Sequence, residues 1–135
     1  MSTIKAANVQ NTGSGAPTFK NSSGTEIGQL CKAWVKFDGT GTVTINNDFN
    51  VASITDHGTG AYQVNFTNSF SSTHYCVGGF CHRNGQGRVI NHIDLQHSDT
   101  NASRYRFNLS GTNNAQSVGL SNVDVDIIYL QFFHD

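Results

Sequence analysis

The segment from Ala33 to Thr67 constrains the fold of this chain more than any other, because its apolar and polar residues alternate with a period of two. In its first run, Val35 and Phe37 share one face of an extended chain, and Lys36 lies on the other. Such alternation is typical of a β-strand with one buried face. Glycine-rich breaks such as Gly58–Gly60 separate the runs and favour hairpin turns. The segment therefore predicts short antiparallel strands.

Runs rich in strand-forming residues recur through the rest of the chain, and no run has the capped apolar stripe of an amphipathic helix. Short strands at regular spacing are typical of a sandwich or a barrel. We predict an all-β fold, an antiparallel β-sandwich of jelly-roll-like type. The predicted strands are 31–37, 42–46, 49–55, 61–67, 74–82, 88–95, 104–109 and 123–133.

The first 28 residues differ from the remainder of the chain. They contain the only proline, Pro17, several glycine–serine breaks and few large apolar side chains. A segment of this composition cannot bury enough apolar surface to form its own core. We therefore predict two parts, a polar linker or shaft end at residues 1–28 and a β-sandwich domain at residues 29–135. The strands of a shaft end would pair with other chains.

The last predicted strand is apolar on both faces from Asp126 to Phe133, unlike the alternating strands before it. A strand that is buried on both sides needs cover on both sides. In a domain of this size, a neighbouring subunit is the expected source of the second cover. This strand and the polar first segment both favour an oligomer.

The composition argues against several classes of partner. Charged residues make up only 13% of the chain, the net charge is −1, and the lysines and arginines form no basic run of the kind that binds nucleic acid. No apolar stretch approaches the roughly 20 residues that span a membrane. The three cysteines are odd in number, which disfavours a disulfide framework. We expect neither nucleic-acid binding nor membrane insertion.

Three stretches share a pattern with a known family: Ala-Trp-Val-Lys-Phe-Asp-Gly-Thr-Gly-Thr-Val at 33–43, Phe-Asn-Val-Ala-Ser-Ile-Thr-Asp-His-Gly-Thr-Gly at 49–60, and Tyr-Gln-Val-Asn-Phe at 62–66. They closely resemble a module that recurs in tail fibres and other attachment proteins of bacterial viruses, notably those that infect cyanobacteria and marine bacteria. The resemblance implies a homotrimer in the virion, made in the host cytoplasm. It also implies contacts with other tail or capsid proteins through the N-terminal segment, and binding to a host surface glycan or protein.

Residue types suited to catalysis or metal binding are sparse. The segment His74–His82 holds the only cluster of metal-ligand types, and its spacing matches none of the usual zinc patterns. Glu26 is the only glutamate, which disfavours the paired carboxylates of glycoside hydrolysis. No serine-nucleophile elbow or phosphate loop occurs. We predict no enzyme activity, no cofactor and no metal, and we expect Trp34 and the two cysteines of the cluster to be buried.

The candidate binding surface follows from strand parity. If every strand runs the full height of the sandwich, one end collects the turns at 38–41, 56–60, 83–87 and 110–122. The other end collects the N-terminal segment and the turns near 47, 71 and 98–101, so the first end faces the host. Its amides, hydroxyls and arginine suit hydrogen bonding to hydroxyl and carboxylate groups. The predicted receptor-binding residues are His57, Thr59, Arg83, Asn84, Gln86, Asn113, Asn114 and Gln116.

Two alternatives to receptor binding stay open. One is a purely structural virion component, such as a capsid decoration or a tail adaptor, whose loops bind nothing on the host. The other is a polysaccharide depolymerase, which the scarcity of carboxylates disfavours.

Overall fold

The computed structural model describes residues 5–10, 17–82, 92–95, 100–111 and 121–134. The chain divides into two compact units, residues 1–30 and residues 31–135. Within the described ranges there is no helix, and all paired strands are antiparallel. The all-β prediction is therefore confirmed. The strands are β1 (Phe19–Lys20), β2 (Glu26–Gly28), β3 (Cys31–Asp38), β4 (Thr44–Phe49), β5 (Val51–Asp56), β6 (Ala61–Phe66), β7 (Cys76–His82), β8 (His92–Leu95), β9 (Arg104–Gly111), β10 (Ser121–Asn122) and β11 (Ile127–Phe133).

The first unit contains one small hairpin, formed by β1 and β2. The Asn21 side chain closes its turn by accepting hydrogen bonds from the backbone N–H groups of Ser23 and Thr25, both at 3.0 Å. An isolated hairpin of two or three residues per strand is marginal in water. The large apolar side chains that the structure describes in this unit are exposed, with exposed fractions of 72% for Val9, 47% for Phe19, 67% for Ile27 and 42% for Leu30.

A four-stranded sheet in the second unit has the order β4–β3–β11–β7. β11 lies inside it, paired with β3 on one side and β7 on the other. Alternation along these strands directs Val35 and Phe37 of β3, and Leu130 and Phe132 of β11, into the core. The opposite face of the same two strands carries half-buried or exposed side chains.

A second sheet has the order β10–β9–β6–β5, and β8 also pairs with β9. Tyr62, Val64 and Phe66 of β6 point inward, together with Tyr105 and Phe107 of β9. The five side chains belong to the same buried cluster as the inward residues of the first sheet. The two sheets therefore share one apolar core.

Aromatic rings join the sheets near both ends of the core. The Phe37 ring meets the Tyr62 ring edge-on at a centroid distance of 5.4 Å. Farther along, the Phe132 ring lies edge-on to Phe66 at 4.9 Å and to Tyr105 at 5.4 Å. Aromatic pairs in such geometries contribute about 0.5–1.5 kcal/mol each beyond the area that they bury. These contacts hold the inner faces of the two sheets together.

The connection from β4 to β5 is a corner between the sheets. It turns at Asn50, whose φ of 58° lies in the left-handed region that asparagine tolerates better than most residues. The Asn50 side chain donates to the Lys32 carbonyl at 3.1 Å and accepts from the Asn68 N–H at 2.8 Å. The predicted turn near Asn47 is therefore wrong. Asn46 and Asn47 belong to β4, where the register shifts at a bulge.

The last strand is shorter than the predicted 123–133, because β11 begins at Ile127. Val123 and Val125 are buried but belong to no strand. Within β11, the outward-facing Tyr129 and Phe133 are half-buried. The second apolar face of this strand is therefore only partly covered within one chain.

Candidate functional site

Two glycine turns meet at one end of the second unit: the turn from β3 to β4 and the turn from β5 to β6. The Tyr62 hydroxyl oxygen at the start of β6 lies 2.8 Å from the Gly39 carbonyl oxygen in the first turn. The segment before β11 reaches the same place, because the Val125 carbonyl accepts a hydrogen bond from the Gly39 N–H at 2.9 Å. We call this structure the rim, and it consists of residues 38–41, 56–60 and 123–125.

Asp38 closes the first turn of the rim. Its Oδ1 accepts hydrogen bonds from the backbone N–H of Thr40 at 2.7 Å and from the Thr40 hydroxyl at 2.6 Å. Gly39 is buried beneath this turn, where a Cβ would collide with the Tyr62 hydroxyl and would lie 3.1 Å from Cδ1 of Ile128. The close approach of these side chains explains why a glycine follows the aspartate.

In the second turn of the rim, alternate residues have different roles. Asp56 Oδ1 accepts a hydrogen bond from the Gly58 N–H at 2.8 Å. Gly60 is buried and has a φ of 67°, a left-handed conformation that glycine adopts without strain. Between these residues, His57 and Thr59 are exposed. The turn thus holds its backbone fixed while it presents an imidazole and a hydroxyl to solvent.

A partly buried hydrogen-bond network joins the two turns beneath their tips. Asp124 Oδ1 accepts a hydrogen bond from the Gly60 N–H at 2.7 Å and lies 2.6 Å from the Tyr62 hydroxyl. Burial, followed by the hydrogen bond and the charge of Asp124, raises the pKa of Tyr62 far above its usual value. The phenol therefore stays protonated and acts as a donor. This network fixes the geometry of the rim.

The rim also presents hydrogen-bond acceptors. Asp38 and Asp56 each use one carboxylate oxygen within their own turn, and within the described residues the other oxygen accepts no hydrogen bond. Such oxygens accept hydrogen bonds from the hydroxyls of a polyol. Asp38 and Asp56 are missing from the sequence-based candidates. The signal that would have found them is a shared pattern, since a Gly-Thr-Gly follows an aspartate in both turns.

The structure describes two of the eight predicted receptor-binding residues. His57 and Thr59 lie at the exposed tip of the second turn of the rim. At the opposite end of β6, the chain beside the predicted turn near Ser71 contacts Ala102, since the Phe70 N–H donates to the Ala102 carbonyl at 2.8 Å. Six predicted residues lie outside the described residues: Arg83, Asn84, Gln86, Asn113, Asn114 and Gln116.

A serine–histidine contact occurs at the end opposite the rim. The Ser72 Oγ lies 3.0 Å from Nε2 of His134, and the hydroxyl oxygen also accepts from the His74 N–H at 3.1 Å. The His134 ring stacks on Phe70 at 5.5 Å and is only 5% exposed. We interpret this contact as structural, because burial against Phe70 keeps the imidazole from a substrate. Ser72 and His134 are 62 positions apart in the sequence, so no local pattern reveals the contact.

Two of the expected burials are wrong. Cys76 is exposed, whereas Cys81 is half-buried and packs against the core, because alternation along β7 turns the two residues to opposite faces. Trp34 is half-buried on the outer face, since the same alternation in β3 directs Ala33 and Val35 inward. In the described part of the chain, no group of three or more histidine, cysteine, aspartate or glutamate residues is placed to hold a metal ion.

The sequence matches no protein-family model, no curated protein and no solved structure. Across the residues that the structure describes, no helix has the length and apolar character needed to cross a membrane.

Proposed function

We propose that this chain is a host-attachment domain of a virion fibre. It is a homotrimeric, jelly-roll-like β-sandwich in the tail fibre, or a comparable attachment protein, of a bacterial virus. It binds a host surface glycan or protein and does not turn it over. The rim is the observation that supports this proposal most directly, because a partly buried network fixes two turns whose tips offer hydrogen-bonding groups to a ligand.

Preorganisation explains why such a rim suits binding. Immobilising a mobile side chain on binding costs about 0.5–1.5 kcal/mol. In the rim the backbone is already held, by Asp38 and Asp56 within each turn and by Asp124 between them. A ligand therefore has to order only the exposed side chains. The hydroxyl of Thr59, the imidazole of His57 and the outward carboxylate oxygens match the hydroxyl groups of a glycan.

Assembly is supported by the exposed apolar surface. In the first unit, large apolar side chains are exposed at Val9, Phe19, Ile27 and Leu30. Exposed apolar groups of this size favour contact with another chain. In a fibre, copies of this segment would cover one another.

Adsorption to cells tests the proposal. The 135-residue chain with a fluorescent label is incubated with a panel of cyanobacterial and marine bacterial strains, and bound fluorescence is measured. Replacing His57 and Thr59 together by alanine is expected to abolish adsorption without a change in melting temperature. Thr67→Ala with Ser69→Ala is the matched control, since both residues are exposed at the opposite end of β6. Cells oxidised with periodate distinguish a glycan receptor from a protein one.

Three results would count against the proposal. If the variant with alanine at His57 and Thr59 still adsorbs and the control variant does not, the binding surface lies at the end opposite the rim. If no strain adsorbs the wild-type protein, a purely structural virion component becomes the better description. Release of reducing ends from host polysaccharide would indicate a depolymerase.

A further inference from the structure

The outer face of the β4–β3–β11–β7 sheet carries two cross-strand rows of side chains. Strand pairing places Phe49, Trp34, Gln131 and Gly78 in one row. It places Asn47, Lys36, Tyr129 and Phe80 in the next. We call these eight residues the outer aromatic face.

Contacts between neighbouring side chains hold the second row in place. The Phe80 ring stacks on the Tyr129 ring at a centroid distance of 4.6 Å and an interplanar angle of 28°. The Lys36 ammonium lies 5.5 Å from the Tyr129 ring centroid. Even so, Phe80 is 62% exposed, and Phe49 on the other edge strand is 54% exposed. Large apolar groups are thus held in place without cover within one chain.

On the other sheet, the described outer side chains of β5 and β6 have the opposite character. There the Asn65 amide donates to the hydroxyls of Ser53 at 3.0 Å and Thr55 at 2.9 Å, and its oxygen accepts from the Gln63 amide. This polar network is compatible with water. Among the described side chains of the two sheets, the exposed large apolar groups are Phe49 and Phe80 of the outer aromatic face, which therefore needs a partner.

We propose that the outer aromatic face is the surface on which a second copy of this chain docks. The proposal rests on the homotrimer of the proposed function and goes beyond it by naming the contact surface. Aromatic enrichment and depletion of charge characterise the centre of protein interfaces. Trp34, Phe49, Phe80 and Tyr129 supply the aromatic groups.

Charge favours a second copy over an unrelated partner. Lys36 is the one charged residue of the outer aromatic face, and its ammonium is held over the Tyr129 ring. Interfaces between identical subunits are more apolar than those between transient partners and are poor in charge at their centre, and this face has that character. A different protein would more often be selected by complementary charge.

The two exposed edges agree with a cyclic assembly. Phe49 and Phe80 lie on β4 and β7, the opposite edge strands of the sheet. In a ring of three, each copy uses different parts of its surface for its two neighbours. Gly78 on β7 has open space around its missing side chain, and glycine in a strand permits close approach of another backbone.

Trp34 is the only tryptophan in the chain and lies on this face, so its fluorescence reports directly whether the face is covered. The test uses the full chain at micromolar concentration. Light scattering measures mass, and acrylamide quenching measures access to Trp34. Wild-type protein is expected to give about three times 14.6 kDa with slow quenching. On dilution into the monomeric range, the emission is expected to shift to the red.

Phe80→Glu and, separately, Phe49→Glu are expected to weaken association by roughly 30-fold or more, as for loss of an interface hot spot. The mass then falls towards 14.6 kDa and quenching accelerates. Thr55→Glu, on the polar outer face, is the matched control and should remain trimeric. Circular dichroism checks that each variant is folded. The wild-type dilution series tests the same inference without any substitution, so it does not depend on the folding of a variant.

Two results would overturn the inference. If the chain is a trimer and both glutamate variants keep wild-type mass and quenching, this face is not the contact, although the homotrimer stands. If the wild-type chain is a monomer, the inference and the homotrimer both fail. Trp34 that is protected in such a monomer would show that a segment of the same chain covers the face.

Discussion

Replacing Gly60 by alanine should disrupt the rim, whereas the same change at Gly41 should be tolerated. The two glycines have nearly the same backbone conformation, with φ values of 67° and 62°. They differ in the space around a Cβ atom. At Gly41 nothing lies within 4 Å, but at Gly60 the Leu109 carbonyl oxygen and the Val123 nitrogen both lie at 2.7 Å. These are backbone atoms of neighbouring segments, so they cannot swing aside as a flexible side chain would.

The left-handed conformation disfavours alanine by about 1–2 kcal/mol at either position. At Gly60 the displaced backbone atoms also take part in hydrogen bonds: Leu109 N–H to the Gly60 carbonyl at 2.6 Å and Val123 N–H to the Leu109 carbonyl at 3.1 Å. Leaving such a buried group unsatisfied costs about 1–3 kcal/mol. We expect Gly41→Ala to lower the free energy of unfolding by about 1–2 kcal/mol. Gly60→Ala should lower it by about 2–5 kcal/mol, a large share of the about 5–15 kcal/mol typical of a domain.

Urea titrations followed by circular dichroism measure both values, at one protein concentration because the chain is expected to associate. Equal losses at the two glycines would refute the reasoning, since the crowding beside Gly60 would then have no effect. If Gly60→Ala gives no folded protein, a folded Gly41→Ala variant shows that the left-handed conformation alone is not the cause.

Three further changes test other parts of the fold. Burial raises the pKa of Tyr62 and of Tyr75, so both stay protonated in the folded chain above about pH 10, where unfolded phenols ionise. The stabilisation that the two protonated phenols give the folded chain is intact below about pH 10. It is lost as the pH rises further, and the free energy of unfolding then falls by up to about 2.7 kcal/mol per pH unit for two groups. Tyr62→Phe should halve that slope in denaturant titrations at increasing pH, and an unchanged slope would contradict the assignment. Asn50→Ala should be less stable than Asn50→Gly by about 1–2 kcal/mol, because both lose the side-chain hydrogen bonds but only alanine is strained at a φ of 58°. Equal melting curves would show that the corner tolerates any residue. Phe132→Ala should destabilise by about 3–5 kcal/mol, since its ring is fully buried among other rings, and a calorimetric loss below about 1 kcal/mol would rule out that packing.

The inward and outward faces of the strands could be predicted from the sequence where one face is apolar. Val64 and Phe66 alternate with polar residues in β6, and the structure buries both. The corner at Asn50 could not be predicted in this way. Alternation identifies a strand but does not record which sheet the strand joins, and Asn46 and Asn47 are as typical of a turn as Asn50 is. The misplaced turn follows from that ambiguity.

The rim shows a similar division. Glycine turns and strand parity predicted that the turns at 38–41 and 56–60 share one end, and the structure brings them together. The link between Tyr62 and Asp124 has no local signal, because 62 residues separate them and Tyr62 alternates like any other core aromatic residue. Asp124 falls within a predicted strand, where its sequence context is that of a solvated charge. Long-range hydrogen bonds of this kind become visible only when the strands are packed.

The second turn of the rim separates framework positions from display positions. Asp56, Gly58 and Gly60 hold the backbone, while His57 and Thr59 alternate with them and meet solvent. A substitution at either display position alters what the tip offers to a ligand and leaves every framework bond in place. Under the proposed function, binding specificity can therefore diversify in this turn at little risk to folding. A library randomised only at positions 57 and 59 would sample new ligands on an unchanged scaffold.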